Sequence, residues 1–268
     1  MTAVLPPAVV DALLRIEGET LVRKADWFAA LGSTNDLALE WAAEADLELP
    51  RLIWAETQTA GRGRGAHVWW AAPGALTFSL IVDEASTGLR AMMWPQVSVL
   101  TGLAIAEALS EFVPAHSIGL KWPNDVQVHG RKICGILVEV PPGQPQRLVI
   151  GIGINVGNSF REAPADLQAI ATSLVDLLND APPLPTVLLK VLQRWSHLAR
   201  QRVNHELDLP TAWARYCALQ DRRVRVTTGE KHLDGVCRGI DADGALWLET
   251  SSGRTRQLGG TVRKLDRD

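Results

Sequence analysis

The sequence predicts an α+β chain built from one large unit and one small all-strand unit. Strand-like and helix-like stretches interleave up to about residue 170, and a region of apolar residues spaced three and four apart follows. After Gln220 the chain breaks into five short strand patterns separated by glycine turns. PPAVVDALLRIE (6–17) reads as a short amphipathic helix and ADWFAAL (25–31) as a strand. GSTNDLALEWAAEA (32–45) is a helix whose first free N–H groups can be met by Ser33 or Thr34. RLIWAE (51–56) and ALTFSLIVD (75–83) are strands, and WPQVSVLTGLAIAEALSEF (94–112) is a largely buried helix. IGLKW, VQVHG and KICGILVEV (118–140) form three strands broken by a PND and an HG turn. RLVIGIGINV (147–156) is a nearly continuous apolar strand of the kind covered on both faces. Helical patterns then run through TSLVDLLND, PTVLLKVLQRWSHLARQRVNHEL and TAWARYCAL (211–219). Five strands in under fifty residues, with DADG and SSG turns, make a small barrel or roll. These readings set two domains, 1–219 and 220–268.

Composition removes several function classes. The 268 residues carry 27 basic and 30 acidic side chains, a net charge of −3 without any Lys/Arg block. A nonspecific nucleic-acid binder would show a basic face. Cys134, Cys217 and Cys237 lie far apart with no metal-ligand spacing, which argues for reduced thiols. No basic leader with a long apolar core opens the chain, and a soluble cytoplasmic protein without a membrane contact is expected.

The chemistry concentrates in four stretches. In TQTAGRGRGAHVWW (57–70) the glycines let backbone N–H groups face an anion. Arg62 and Arg64 add planar forks suited to carboxylate or phosphate, and Trp69 and Trp70 can wall off an apolar ligand part. No Lys-Ser/Thr follows, so this is not the phosphate loop of nucleotide triphosphatases. In KWPNDVQVHGRKICGILVE (121–139), Pro123 fixes a turn that presents Asn124 and Asp125. Asp125 is a candidate for Mg²⁺ or a ribose hydroxyl, and Lys132 heads an apolar strand where its ammonium reaches a pocket mouth. GIGINVG (151–157) lacks the dinucleotide fingerprint spacing, and its glycines mark close approach of a ligand or neighbouring chain. Asn155 within it is either a ligand to a base edge or a satisfied core amide. Nucleophilic catalysis has little support: GxSxG is absent and Cys134 lies in an apolar strand.

GSTN (32–35), TQTAGRGR (57–64), KWPNDVQVHGRKICGILVE (121–139) and GIGIN (151–155) occur in this order, followed by GVCRGIDADGALWLE (235–249) and a closing GG at 259–260. This set resembles the biotin–protein ligases, from about residue 26 to the C-terminus. The resemblance implies a mixed β-sheet flanked by helices, of the type shared with class II aminoacyl-tRNA synthetases, and a small C-terminal Src-homology-3-like barrel. It implies formation of biotinyl-5′-AMP from biotin and ATP, then transfer of biotin to a lysine of the biotin carboxyl carrier protein of acetyl-CoA carboxylase. Ser33, Thr34, Asn35, Gln58, Arg62, Gly63, Arg64 and Lys132 would then bind biotin and its carboxylate end. Lys121, Asn124, Asp125 and Asn155 would serve ATP, with Asp125 on Mg²⁺, and Lys132, Arg64 and Asp125 would be catalytic. The family commonly continues GRGR-x-Gly-Arg-x-Trp, whereas this chain reads Gly65-Ala66-His67-Val68-Trp69, so a histidine stands for a third cation. About 32 residues precede GSTN, short of the winged helix of the bifunctional repressor-ligases, so no DNA binding is expected; a homodimer is compatible with the family. The competing readings are a biotin- or adenylate-binding regulator with weakened catalysis, and a ligase for another acyl cofactor such as lipoate.

Overall fold

The computed structural model describes residues 5–161 and 163–265. Its strands are β1 (Lys24–Leu31), β2 (Arg51–Gln58), β3 (Ala75–Asp83), β4 (Ile118–Lys121), β5 (Asp125–Val128), β6 (Arg131–Glu139) and β7 (Arg147–Asn155), then β8 (Arg223–Thr228), β9 (Lys231–Ile240), β10 (Leu246–Thr250), β11 (Gly253–Gln257) and β12 (Thr261–Lys264). The α-helices are α1 (Pro7–Glu19), α2 (Thr34–Trp41), α3 (Glu84–Thr87), α4 (Trp94–Leu109), α5 (Ala165–Ile170), α6 (Leu174–Leu178), α7 (Leu184–Val203) and α8 (Leu209–Ala214).

The first seven strands form one sheet in the order β1-β2-β3-β7-β6-β5-β4, and the last five form a second in the order β11-β10-β9-β8-β12. β1 pairs with β2 in parallel and every other neighbour in the large sheet is antiparallel, so the sheet is mixed. The smaller sheet is antiparallel throughout, as an SH3-like barrel requires.

The alternation of strand side chains decides which face becomes a site. Ile150, Ile152 and Ile154 of β7 join the core that contains α1, α4 and α7. α4 is apolar nearly all round because it lies buried between this face and α7, with Trp195 Nε1 donating to Thr101 Oγ1 at 3.2 Å. The stretch Ala91–Leu109 is long and apolar enough to cross a membrane, but 72% of it is buried inside the fold. The opposite face carries Val149, Gly151, Gly153 and Asn155 on β7, opposite Glu139, Leu137 and Gly135 of β6 and Ile81, Ser79 and Thr77 of β3. α2 covers the Val149–Ile81 end of this face through Ala38 and Ala42. The other end stays open. A one-residue register slip would place the isoleucines there and remove the site.

The last helical stretch differs from the sequence expectation. The helix expected over 211–219 ends at Ala214, because Tyr216 and Ala218 instead exchange backbone hydrogen bonds with Leu120 on the edge strand β4. That pairing satisfies an open sheet edge, which local helix propensity does not register. Also, Cys217 and Cys237 are far apart in sequence, yet the fold brings their thiols close enough to influence each other's ionisation. Both remain free thiols, and Cys134 is fully buried.

Candidate active site

A cavity of about 610 Å³ opens on the glycine-bearing face of the large sheet. Its polar end is built by the start of α2. Ser33 caps that helix, its hydroxyl accepting from the Asp36 N–H at 3.4 Å, and such a cap contributes ~1 kcal/mol. The Thr34 N–H donates to Gln58 Oε1 at 2.6 Å. Beneath them, Ser79 Oγ lies 2.8 Å from Thr34 Oγ1 and 2.7 Å from Asn35 Oδ1, in a fully buried position. Satisfied in this way, these polar groups can stay dry without a desolvation penalty.

The floor is made of Gly151, Gly153 and Gly135, and each glycine has a steric reason. A Cβ at Gly151 would stand 2.1 Å from Asn35 Oδ1, and one at Gly153 2.4 Å from the Trp69 indole. Side chains from α2 and the loop after β2 thus lie directly on bare backbone. The Trp69 Nε1–H is buried and has no hydrogen-bond partner among the described residues. Trp70 packs at a tilt of 58° against Phe160 with centroids 4.9 Å apart, and with Leu167 and Ala171 makes an apolar wall.

The stretch GRGRGAHVW forms a tight hairpin over the cavity. Gly63 N–H donates to His67 O at 2.8 Å, Trp69 N–H to Gly61 O at 3.0 Å, and Arg62 bridges Val68. Gly65 at φ +61° makes the turn that any β-carbon would strain. From this hairpin Arg62 pairs with Asp36 at 2.7 Å and Glu139 at 2.8 Å. Hydrogen bonding to Glu139 raises the affinity of the Arg62 guanidinium for its proton. Among the described residues Arg64 meets only neutral oxygens, Asn124 Oδ1 at 3.3 Å and Gly260 O at 3.2 Å, the latter contributed by the β11–β12 turn of the small sheet.

On the far wall, Lys132 Nζ lies 2.6 Å from Asp125 Oδ1 and 5.9 Å from the Trp69 ring centroid. Asn124 is fixed by donating to Ile136 O at 2.8 Å, and Ser98 Oγ holds Pro123 O at 2.9 Å. The Trp122–Pro123 peptide is cis. Asn155 is buried, donates to Thr172 O at 3.0 Å and accepts from Asn158 at 3.0 Å. Its amide therefore pins the 156–172 segment to the sheet while it lines the cavity. Asp176 anchors the same segment. Burial acts to raise its pKa, but the Phe160 N–H and the Ser159 and Ser173 hydroxyls outweigh it and hold the carboxyl below its ordinary value.

Of the residues singled out from the sequence, Ser33, Thr34, Asn35, Gln58, Arg62, Gly63, Arg64, Asn124, Asp125, Lys132 and Asn155 all line this one cavity, whereas Lys121 on β4 does not. Sequence reasoning missed Asp36, Ser79, Glu139, Asn158 and the Gly260–Thr261 turn. Glu139 ends the quoted RK…GILVE run, and its odd-numbered parity with Gly135 carried the signal that it shares the glycine face.

Two family models match the chain: biotin/lipoate A/B protein ligase over residues 27–155 and the biotin protein ligase C-terminal domain over 221–264. It is 36% identical to the biotin–[acetyl-CoA-carboxylase] ligase of Mycobacterium tuberculosis over 87% of this chain and 85% of that one. The chain belongs to the biotin–protein ligase family. Within that family it is also 30% identical to the bifunctional ligase/repressor BirA of Bacillus subtilis, across 83% of this chain and 68% of the relative. The biotin protein ligase from Aquifex aeolicus, solved in complex with biotin and ATP, superposes with a TM-score of 0.78 at 28% identity, over 90% of this chain and 99% of that one. The mixed sheet and small barrel described above are thus the biotin–protein ligase fold.

Proposed function

We propose that this enzyme joins biotin to a carrier-protein lysine in two ATP-driven steps. In the first, a biotin carboxylate oxygen attacks the α-phosphorus of ATP, giving biotinyl-5′-AMP as pyrophosphate leaves. In the second, the lysine amine attacks the activated carbonyl, an amide forms, AMP departs and the amine loses a proton. The observation that carries this reading is one cavity with a dry polar end at Ser33, Thr34 and Gln58 and cations at its other end. The first suits a ureido ring and the second suits two anions brought together.

Residue roles follow from that layout. Ser33, Thr34, Asn35 and Gln58 hold the biotin ring, and the Trp69 face covers its apolar part. Arg62, the Gly63 backbone, Arg64 and Lys132 take the carboxylate and the adenylate phosphate, where positioning and charge cancellation lower the barrier. Asn124, Asp125 and Asn155 face the nucleotide. Lys121 lies outside the cavity wall, so we assign it no contact. Asp125 and the Asn124 carbonyl are hard oxygen donors, and among the described residues no cluster of three metal-binding side chains exists. Such a sparse set fits Mg²⁺ held mainly by substrate phosphates. The ion would supply neutralisation of phosphate charge.

The extents of the two family models support treating 1–219 and 220–268 as separate domains. The acceptor we propose is a biotin carboxyl carrier protein in the cytoplasm, where acetyl-CoA carboxylase works. Pyrophosphate release from ATP should require biotin and should not occur with lipoate or octanoate. Release with lipoate alone would replace this assignment, and binding of biotin without release would favour a regulator.

A further inference from the structure

Asp36 and Glu139 touch Arg62, yet neither lines the cavity that Arg62 faces. The donor count on the guanidinium shows what this does. Nη1 gives one hydrogen to Asp36 Oδ1 at 2.7 Å and the other to Glu139 Oε2 at 3.1 Å. Nη2 gives one hydrogen to Glu139 Oε1 at 2.8 Å. A guanidinium has five N–H donors in a rigid plane. Three are thus engaged, and those that remain are the Nε–H and the second Nη2–H. Nε and Nη2 lie on the same side of the plane, so the two remaining hydrogens form one fork. That fork matches the spacing of two oxygens on one carboxylate or phosphate.

We infer that Glu139 and Asp36 are positioning residues: they clamp two edges of the Arg62 guanidinium and leave its Nε/Nη2 edge for a two-oxygen anion in the cavity. The inference rests on the biotin reading above, which names that anion as the biotin carboxylate. Two carboxylates on one arginine would be a poor way to attract an anion by charge alone, since the trio carries a net negative charge. Their effect is geometric. A bidentate contact gains from a fork held in one orientation, because less side-chain freedom is lost on binding. Glu139 does more than hold Arg62. Its Oε2 also accepts from Asn35 Nδ2 at 2.7 Å, and Asn35 Oδ1 contacts Ser79. One carboxylate thereby ties the first turn of α2, where the ring would sit, to the hairpin that meets the carboxylate end. Glu139 is only 24% exposed on its side chain, so this contact is screened less than a surface pair.

The test compares biotin with biotinamide, its neutral amide, as ligands of the full-length protein by calorimetry. Glu139→Gln keeps an acceptor for Asn35 but removes one ionised oxygen from the clamp, and Asp36→Asn removes the other acid. Each variant should bind biotin about tenfold more weakly, the scale of one charge-assisted hydrogen bond, while biotinamide affinity stays at the wild-type value. In an Arg62→Ala background the same substitutions should change biotin affinity little. Equal losses for both ligands would mean that the acids merely hold the pocket together, and unchanged biotin affinity would remove them from the binding machinery; either result overturns the inference. If the wild-type protein itself fails to bind biotin, it is the functional reading that falls.

Discussion

Lys132 and Asp125 neutralise each other across 2.6 Å at the cavity wall, and Arg62 is matched by two acids, whereas Arg64 is held, among the described residues, by neutral oxygens only. In the proposed roles, the Lys132 ammonium turns from Asp125 toward the phosphates when ATP binds. Lys132→Ala should lower pyrophosphate release by on the order of 100-fold or more, the usual cost of losing one donor to developing charge. The melting temperature should barely move, since the Lys132 side chain is 35% exposed. A variant that releases pyrophosphate at the wild-type rate would strip Lys132 of this role. The thiols give a second residue-scale prediction. The hydrogen bond from Cys237 outweighs partial burial and brings Cys217 down to about 7, whereas burial pushes Cys134 up. The thiolate is the nucleophile, so alkylation of Cys217 by iodoacetamide should accelerate as pH rises from 6 to 8 and then level off. Cys134 should stay unmodified in the folded protein; a Cys217 rate still climbing steeply between pH 8 and 9 would contradict the lowered value. At this scale the sequence reveals residues that constrain backbone or carry unusual spacing, such as Gly63 between two arginines. Ser79 was hidden because a serine in a strand has no local pattern of its own, whereas Glu139 was legible only through its parity with Gly135 along β6.

The hairpin 61–69 carries His67 where the sequence resemblance leads one to expect a third cation. His67 is exposed at the cavity rim, and its backbone is fixed by bonds to Gly63 and Arg64. His67→Arg should add a cation beside the phosphate and slow the escape of biotinyl-5′-AMP about fivefold, on the order of 1 kcal/mol. Biotin affinity should change less, because the ring site is assigned to α2 and not to this hairpin. Equal escape rates of radiolabelled adenylate from both proteins would show that position 67 points away. The opposing element is the β11–β12 turn, where Gly260 sits at φ +130° and a Cβ would meet Thr227 O at 2.7 Å. Gly260→Ala should shift the carbonyl that holds Arg64, costing 1 kcal/mol or more of stability and raising the KM for ATP more than that for biotin. An unchanged KM for ATP would mean that this turn does not serve the nucleotide. Elements were the most legible level: strand alternation, caps and glycine turns are local, and they placed all twelve strands. The helix at 211–219 was misread because residues 216–218 pair with an edge strand distant in sequence.

At the scale of the molecule, sheet parity puts isoleucines of β7 into the core and its glycines under the cavity, and the hairpin, α2 and the barrel turn converge above them. The sequence order of the motifs foretold that they share a site, but the contact between the barrel and Arg64 spans 196 residues and leaves no local trace. Everything in this arrangement serves one claim, that biotin is activated in the cavity and delivered to a lysine. The direct measurement is the intact mass of a biotin carboxyl carrier protein after incubation with the enzyme, ATP, Mg²⁺ and biotin, alongside a carrier whose acceptor lysine is changed to arginine. One biotin per carrier is expected, with none on the arginine variant and none on either when lipoate replaces biotin. A carrier left unmodified while biotinyl-5′-AMP accumulates, or one loaded equally well with lipoate, would contradict it.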